Sequence, residues 1–129
     1  MIRTRSFPQD TSSVAMARAF VADTLRGLPG ALSSTAALIV SELATNAIRH
    51  ARMGFTVRIE TTEARLRAEV SDEGGGQPRV RSPEPLDPAG RGLQIVDSLS
   101  EDWGVVPRAG GKSVWFTLDL SEERVHRAG

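Results

Sequence analysis

The chain has 129 residues, of which 40% are hydrophobic and 25% charged, and 16 basic residues balance 16 acidic ones. Those proportions describe one compact domain able to bury a single core, and they exclude wholesale disorder. Zero net charge removes the overall electrostatic footprint of a nucleic-acid binder, leaving only a local patch open, and the absence of cysteine excludes disulfides and thiolate metal sites.

The N-terminus, Met1 to Ser6, is not followed by a hydrophobic signal core, and no apolar run is expected to reach membrane-spanning length. A soluble, cytoplasmic protein is the expectation. Residues 2–7 read as a short edge strand closed by Pro8. Thr11, Ser12 or Ser13 is suited to cap a helix running to about Arg26, with Val14, Ala17, Phe20, Val21 and Leu25 on its apolar side. Gly27-Leu28-Pro29-Gly30 breaks it. A second helix is expected from Ser33 or Ser34 to about Arg52, followed by a turn at Gly54.

Phe55, Val57 and Ile59 alternate with Thr56, Arg58 and Glu60, which is the period of a strand with one buried face. Thr62-Glu63-Ala64 makes a turn, and Leu66, Ala68 and Val70 alternate in the returning strand. Antiparallel pairing covered on one side by the two helices follows. From Glu73 to Gly90 the pattern gives way to glycine and proline, a connection long enough to be either functional or disordered. Leu93, Ile95, Val96 and Leu99 predict a short helix. A strand from Trp103 to about Pro107, a turn at Ala109-Gly110-Gly111 and a last strand carrying Val114, Phe116, Leu118 and Leu120 complete the chain, with a frayed tail at 121–129. A single domain spans 1–129, with its core at about 10–120.

Three segments carry chemistry. On the second helix Ala36, Val40, Leu43, Ala47 and Ala51 form an apolar face, and Glu42, Asn46 and His50 form a polar stripe beside it. A carboxylate one turn before a carboxamide suits a proton acceptor next to an oxygen ligand for a hard cation. Asp72-Glu73-Gly74-Gly75-Gly76 follows a strand. Its first carboxylate can accept a hydrogen bond from an exocyclic amine, and its glycines admit a flat ring close to the backbone. Gly90-Arg91-Gly92-Leu93 leads into a helix, where free amides and the helix dipole favour phosphate. Taken singly, each has a plainer reading as a surface stripe, an acidic turn or a loop before a core helix.

Together, Glu42-x-x-x-Asn46, Asp72-x-Gly74-x-Gly76 and Gly90-x-Gly92-Leu93 resemble the N, G1 and G2 boxes of the GHKL ATP-binding superfamily. The resemblance is nearest to the small anti-sigma-factor serine/threonine kinases and runs over about residues 10–120, including Trp103-Gly104. It implies an α/β (α+β) two-layer sandwich, a mixed but mostly antiparallel sheet with helices on one face and ATP between the layers. Asn46 would hold Mg²⁺, Glu42 would act as general base, and Asp72 would receive the adenine amine, with Gly74 and Gly76 shaping that pocket. Gly90, Arg91, Gly92 and Leu93 would line the phosphates, with residues 77–90 as a lid. His50, farther along the same helix, would pack or support the site from behind and take no part in catalysis.

Two positions depart from the family. Many members carry a threonine in the last strand that supports adenine; here Lys112-Ser113 occupies that neighbourhood, and Ser113 either substitutes or is turned away by strand alternation. The arginine that meets protein partners on the first helix of the anti-sigma kinases is matched by Val14, not Arg18. The implied function is a Mg²⁺–ATP-dependent serine/threonine protein kinase and anti-sigma factor. It would phosphorylate an anti-anti-sigma-like regulatory protein and hold a sigma factor, without nucleic acid or membrane contact and with homodimerisation open. The alternative is a catalytically weak nucleotide-sensing switch that binds proteins without transferring phosphate. A two-component histidine kinase catalytic domain ranks lower, because 129 residues leave no room for a dimerising phosphoacceptor domain and His126 falls in the tail.

Overall fold

The computed structural model describes residues 1–50, 53–72 and 91–120, without the side chains of His50, Arg91 and Gly92. Eight elements follow one another: β1 (Ile2–Phe7), α1 (Ser12–Thr24), α2 (Gly30–His50), β2 (Phe55–Thr61), β3 (Arg65–Asp72), α3 (Arg91–Leu99), β4 (Asp102–Arg108) and β5 (Gly111–Asp119). The strands form one sheet in the order β1-β2-β3-β5-β4. Every pairing among them is antiparallel, so the parallel component of a mixed sheet is absent from the described residues.

Strand alternation sorts the side chains between two faces. Phe7, Phe55, Val57, Ile59, Leu66, Ala68, Val70, Val114, Phe116 and Leu118 are all buried toward the helices. From α1 and α2, Ala17, Phe20, Val21, Leu32, Ala36, Ile39, Val40, Leu43, Ala44 and Ala47 meet them, and α1 packs along α2. The other face carries Arg58, Arg67, Glu69, Trp115 and Thr117, where Arg67 lies over the Trp115 ring at 5.1 Å. One apolar and one polar face per strand is the pattern of a sheet covered on a single side.

Local details depart from the sequence expectation at the helix starts. The α1 N-cap position is Thr11, yet its side chain makes no capping bond. Asp10 Oδ1 accepts from Ser12 N at 3.0 Å instead, and the buried Ser13 Oγ donates to the Pro8 carbonyl at 2.7 Å. A carboxylate there also complements the positive end of the helix. Helix α2 starts at Gly30, earlier than Ser33, because the Pro29 carbonyl accepts from Leu32 N and Ser33 N and so opens the first turn. The real break is Gly27, at φ +94°.

The 20 residues Gly30–Arg49 are long and apolar enough by composition to cross a membrane, contrary to the expectation that no apolar run reaches that length. Half of that window is buried in the domain, and a soluble core helix passes the same test. The apolar character comes from the wide face that α2 lays on the sheet. Gly54, at φ +105°, takes the chain from α2 into β2; a Cβ there would overlap the Phe7 carbonyl oxygen. That close approach accompanies the stacking of Phe7 on Phe55, with ring centroids 5.3 Å apart. Among the described side chains of α3, only Val96 is fully buried, whereas Leu99 is exposed. The helix is tied to β4 through Trp103 Nε1, which donates to Asp97 Oδ1 at 2.9 Å.

Candidate functional site

Where α2 crosses the end of the sheet, Leu43, Asn46, Ala47, Val70, Asp72, Lys112 and Val114 line a small cavity of about 10 Å³, room for roughly one water molecule, that opens to solvent. Its floor is apolar, from Leu43, Ala47, Val70 and Val114. Its polar groups come from two walls: Asn46 from the helix, and Asp72 with Lys112 from adjacent strand ends. An apolar cleft with a few convergent polar groups is the general form of a small-molecule site.

Asn46 is 5% exposed, and its Nδ2 is buried without a hydrogen-bond partner among the described residues. A buried amide left unpaired costs about 1–3 kcal/mol. Such a group is retained where a ligand satisfies it, and its neighbour Oδ1 is a hard oxygen donor of the kind Mg²⁺ takes. Helical spacing places Asn46 at the edge of the buried face, one position before Ala47, which is why it is covered and not solvated. The donor set therefore fits a metal-bound nucleotide phosphate. Glu42, one turn earlier, is half-buried and does not line the cavity.

Asp72 shares the parity of Leu66, Ala68 and Val70, so its carboxylate points to the helix side of the sheet. Its side chain is only 7% exposed. Both oxygens are held by one residue: Lys112 N donates to Oδ1 at 3.1 Å and Lys112 Nζ to Oδ2 at 2.6 Å. Charge-assisted bonds of this length are the strong kind. Lys112 belongs to the cavity although it was not among the expected site residues. The signal that finds it is register: Val70 faces Val114 and Ser71 faces Ser113, so the next pair outward is Asp72 with Lys112.

The same register turns Ser113 away. Ser113 is fully buried, but on the opposite face, where Ser71 Oγ lies 2.6 Å from its hydroxyl and Arg108 Nε donates to it. Arg108 also pairs with Glu69 at 3.2 Å. The structure thus brings Asn46 and Asp72 together and does not bring Ser113 to them. Leu93 is half-buried on α3, which Arg91 and Gly92 open. Gly74, Gly76, Gly90 and the expected lid at 77–90 lie outside the described residues, as does the tail. On α1, Val14 packs against the core, and Arg18 Nε donates to Ser41 Oγ of α2 at 3.0 Å.

Residues 7–118 match the profile of the histidine kinase-like ATPase domain. No curated protein matches the chain significantly. Among solved structures, it is similar to the histidine kinase domain of the blue-light activated histidine kinase from Erythrobacter litoralis EL346, with TM-score 0.61 and 22% identity. That likeness covers 92% of this chain and 64% of the other. A structure of the same blue-light activated kinase matches with TM-score 0.57 and 23% identity, over 92% of this chain and 44% of that one. The chain thus spans less than two thirds of either protein, and at these identities the likeness speaks for the fold.

Proposed function

The chain belongs to the histidine kinase-like ATPase family, whose domains bind ATP, and on that premise we propose that it is a Mg²⁺–ATP-dependent serine/threonine protein kinase of the anti-sigma type. Its protein substrate would be a small anti-anti-sigma-like regulator and its second partner a sigma factor, both met in the cytoplasm. The observation that carries the nucleotide part is that Asn46, whose buried Nδ2 has no partner among the described residues, lines the same cavity as Asp72.

In this reading Asn46 would hold the metal through Oδ1, and a phosphate oxygen would satisfy the Nδ2 donor that has no partner among the described residues. Mg²⁺ supplies neutralisation of the phosphate charge during in-line transfer. Asp72 accepts from the exocyclic amine of the base, and the apolar floor of Leu43, Ala47, Val70 and Val114 excludes water from the ring. Backbone amides at the start of α3, at Arg91 and Gly92, face the phosphates. Glu42 takes the proton from the attacking serine or threonine hydroxyl of the partner.

One observation favours a second reading, a nucleotide-sensing switch without transfer. Glu42 lies outside the cavity that Asn46 and Asp72 share, so binding does not by itself require it. Incubation with γ-labelled ATP and proteins captured by the chain separates the two. Label on a serine or threonine of a captured protein supports the kinase. Nucleotide retained on the chain with no label on any partner favours the switch.

A further inference from the structure

Adenine and guanine differ in the order of hydrogen-bonding groups along one edge. Adenine offers an amine donor beside a ring-nitrogen acceptor. Guanine offers a carbonyl acceptor, then a ring N–H and an amine, two donors side by side. A free carboxylate has two acceptor oxygens and therefore complements the guanine pair. A buried aspartate alone would be a poor discriminator in favour of adenine.

Asp72 is not a free carboxylate. The main-chain amide of Lys112 occupies Oδ1 at 3.1 Å, and the Lys112 ammonium stands 2.6 Å from Oδ2. Both side chains line the cavity, Lys112 at 20% and Asp72 at 7% exposure. The edge presented to a ligand is therefore one acceptor with one cationic donor next to it. An ammonium carries three protons and gives one to Oδ2, and a carboxylate oxygen accepts more than one bond. Neither group needs to release the other before meeting a base.

Building on the nucleotide-site reading above, we propose that Lys112 selects adenine over guanine: its Nζ donates to ring nitrogen N1 while Asp72 Oδ2 accepts from the exocyclic amine. With the base held in that same pose by its sugar and phosphates, guanine would set its carbonyl oxygen against Oδ2 and its ring N–H against the ammonium, a mismatch at both groups. Lys112 is thus a specificity-determining residue that converts a two-acceptor edge into an acceptor–donor edge.

The test is calorimetric titration of the intact chain, in the presence of Mg²⁺, with ATP, GTP and 1-deaza-ATP, the last lacking only the ring acceptor. Wild type should bind ATP roughly ten-fold or more tighter than either analogue, as one charge-assisted bond is worth. Lys112→Met should bind ATP and 1-deaza-ATP alike, and Lys112→Gln, which keeps an N–H donor, should regain part of the difference. A structural role alone would weaken all three ligands equally, an outcome that contradicts the assignment. Equal wild-type affinity for ATP and 1-deaza-ATP overturns the role of Lys112 and leaves the nucleotide site standing. Failure of wild type to bind any of the three removes the site and this inference with it.

Discussion

Gly111 sits so close to Asp72 that a Cβ on it would overlap the carboxylate oxygen Oδ1 and come within 2.8 Å of the Asp72 main-chain oxygen. The glycine opens β5 directly after Gly110, whose φ is +82°. Its bare backbone lets the β4–β5 hairpin close around the carboxylate and deliver Lys112 to it. Gly111→Ala should therefore displace the Asp72–Lys112 pair. A loss of about 1–3 kcal/mol of stability is expected from overpacking, together with weaker nucleotide binding. Thermal denaturation and ATP titration check both; a variant as stable and as avid as wild type would refute the constraint.

Asn46 sets stability against function. Its Nδ2, buried without a partner among the described residues, is a cost to the ligand-free fold. Asn46→Ala should leave the ligand-free chain within about 1 kcal/mol of wild type, because a cavity term opposes the gain from removing an unsatisfied donor. The thermal shift produced by Mg²⁺–ATP should disappear in the same variant. Differential scanning with and without nucleotide reads both quantities, and a retained shift would strike Asn46 from the site.

Glu42→Gln is expected to bind ATP as wild type does, since the residue lies outside the shared cavity. If it is the base, phosphotransfer to the partner falls by about 10²–10⁴-fold. Single-turnover transfer measured beside equilibrium binding distinguishes the roles. Undiminished transfer would leave the hydroxyl proton to another group.

A pH effect is expected far from the cavity. Asp23 accepts from Arg3 and lies beside Arg26, and the two guanidinium groups hold its carboxyl below the ordinary value of 3.8. A folded-state value lower than the unfolded one means that the charged pair stabilises the fold above about pH 4. The contribution is lost as the pH falls through the folded value. The difference in melting temperature between wild type and Asp23→Asn should therefore be present at neutral pH, vanish in acid and shrink with added salt, because the carboxylate is at the surface. A difference that persists unchanged at low pH would point to packing and not charge.

Much of this was legible from side-chain period and turn residues. Alternation at Phe55-Val57-Ile59 and Leu66-Ala68-Val70 fixed two strands and their buried face, and Gly54 and Gly110 marked turns that the backbone makes at positive φ. The helix caps were not legible, because Asp10 competes with Thr11 for the same amides and the sequence alone does not say which oxygen arrives. The all-antiparallel order depends on β5 inserting between β3 and β4, a long-range choice with no local signature. In the site, Asn46 and Asp72 stood out as polar residues bordering apolar patterns. Lys112 did not, since a lysine at a hairpin reads as solvated surface until the register of β3 on β5 is known. That same register decides Ser113, whose two settings the sequence left open.

The central claim is that one Mg²⁺–nucleotide is held between Asn46 and Asp72. Isothermal titration of ATP into wild type and Asp72→Asn, each with and without Mg²⁺, tests it most directly. Wild type should bind ATP only weakly without the metal and clearly with it, and Asp72→Asn should lose at least about ten-fold in affinity, the worth of one charge-assisted hydrogen bond. Equal affinity in the two proteins, or binding by wild type that ignores Mg²⁺, would contradict the account.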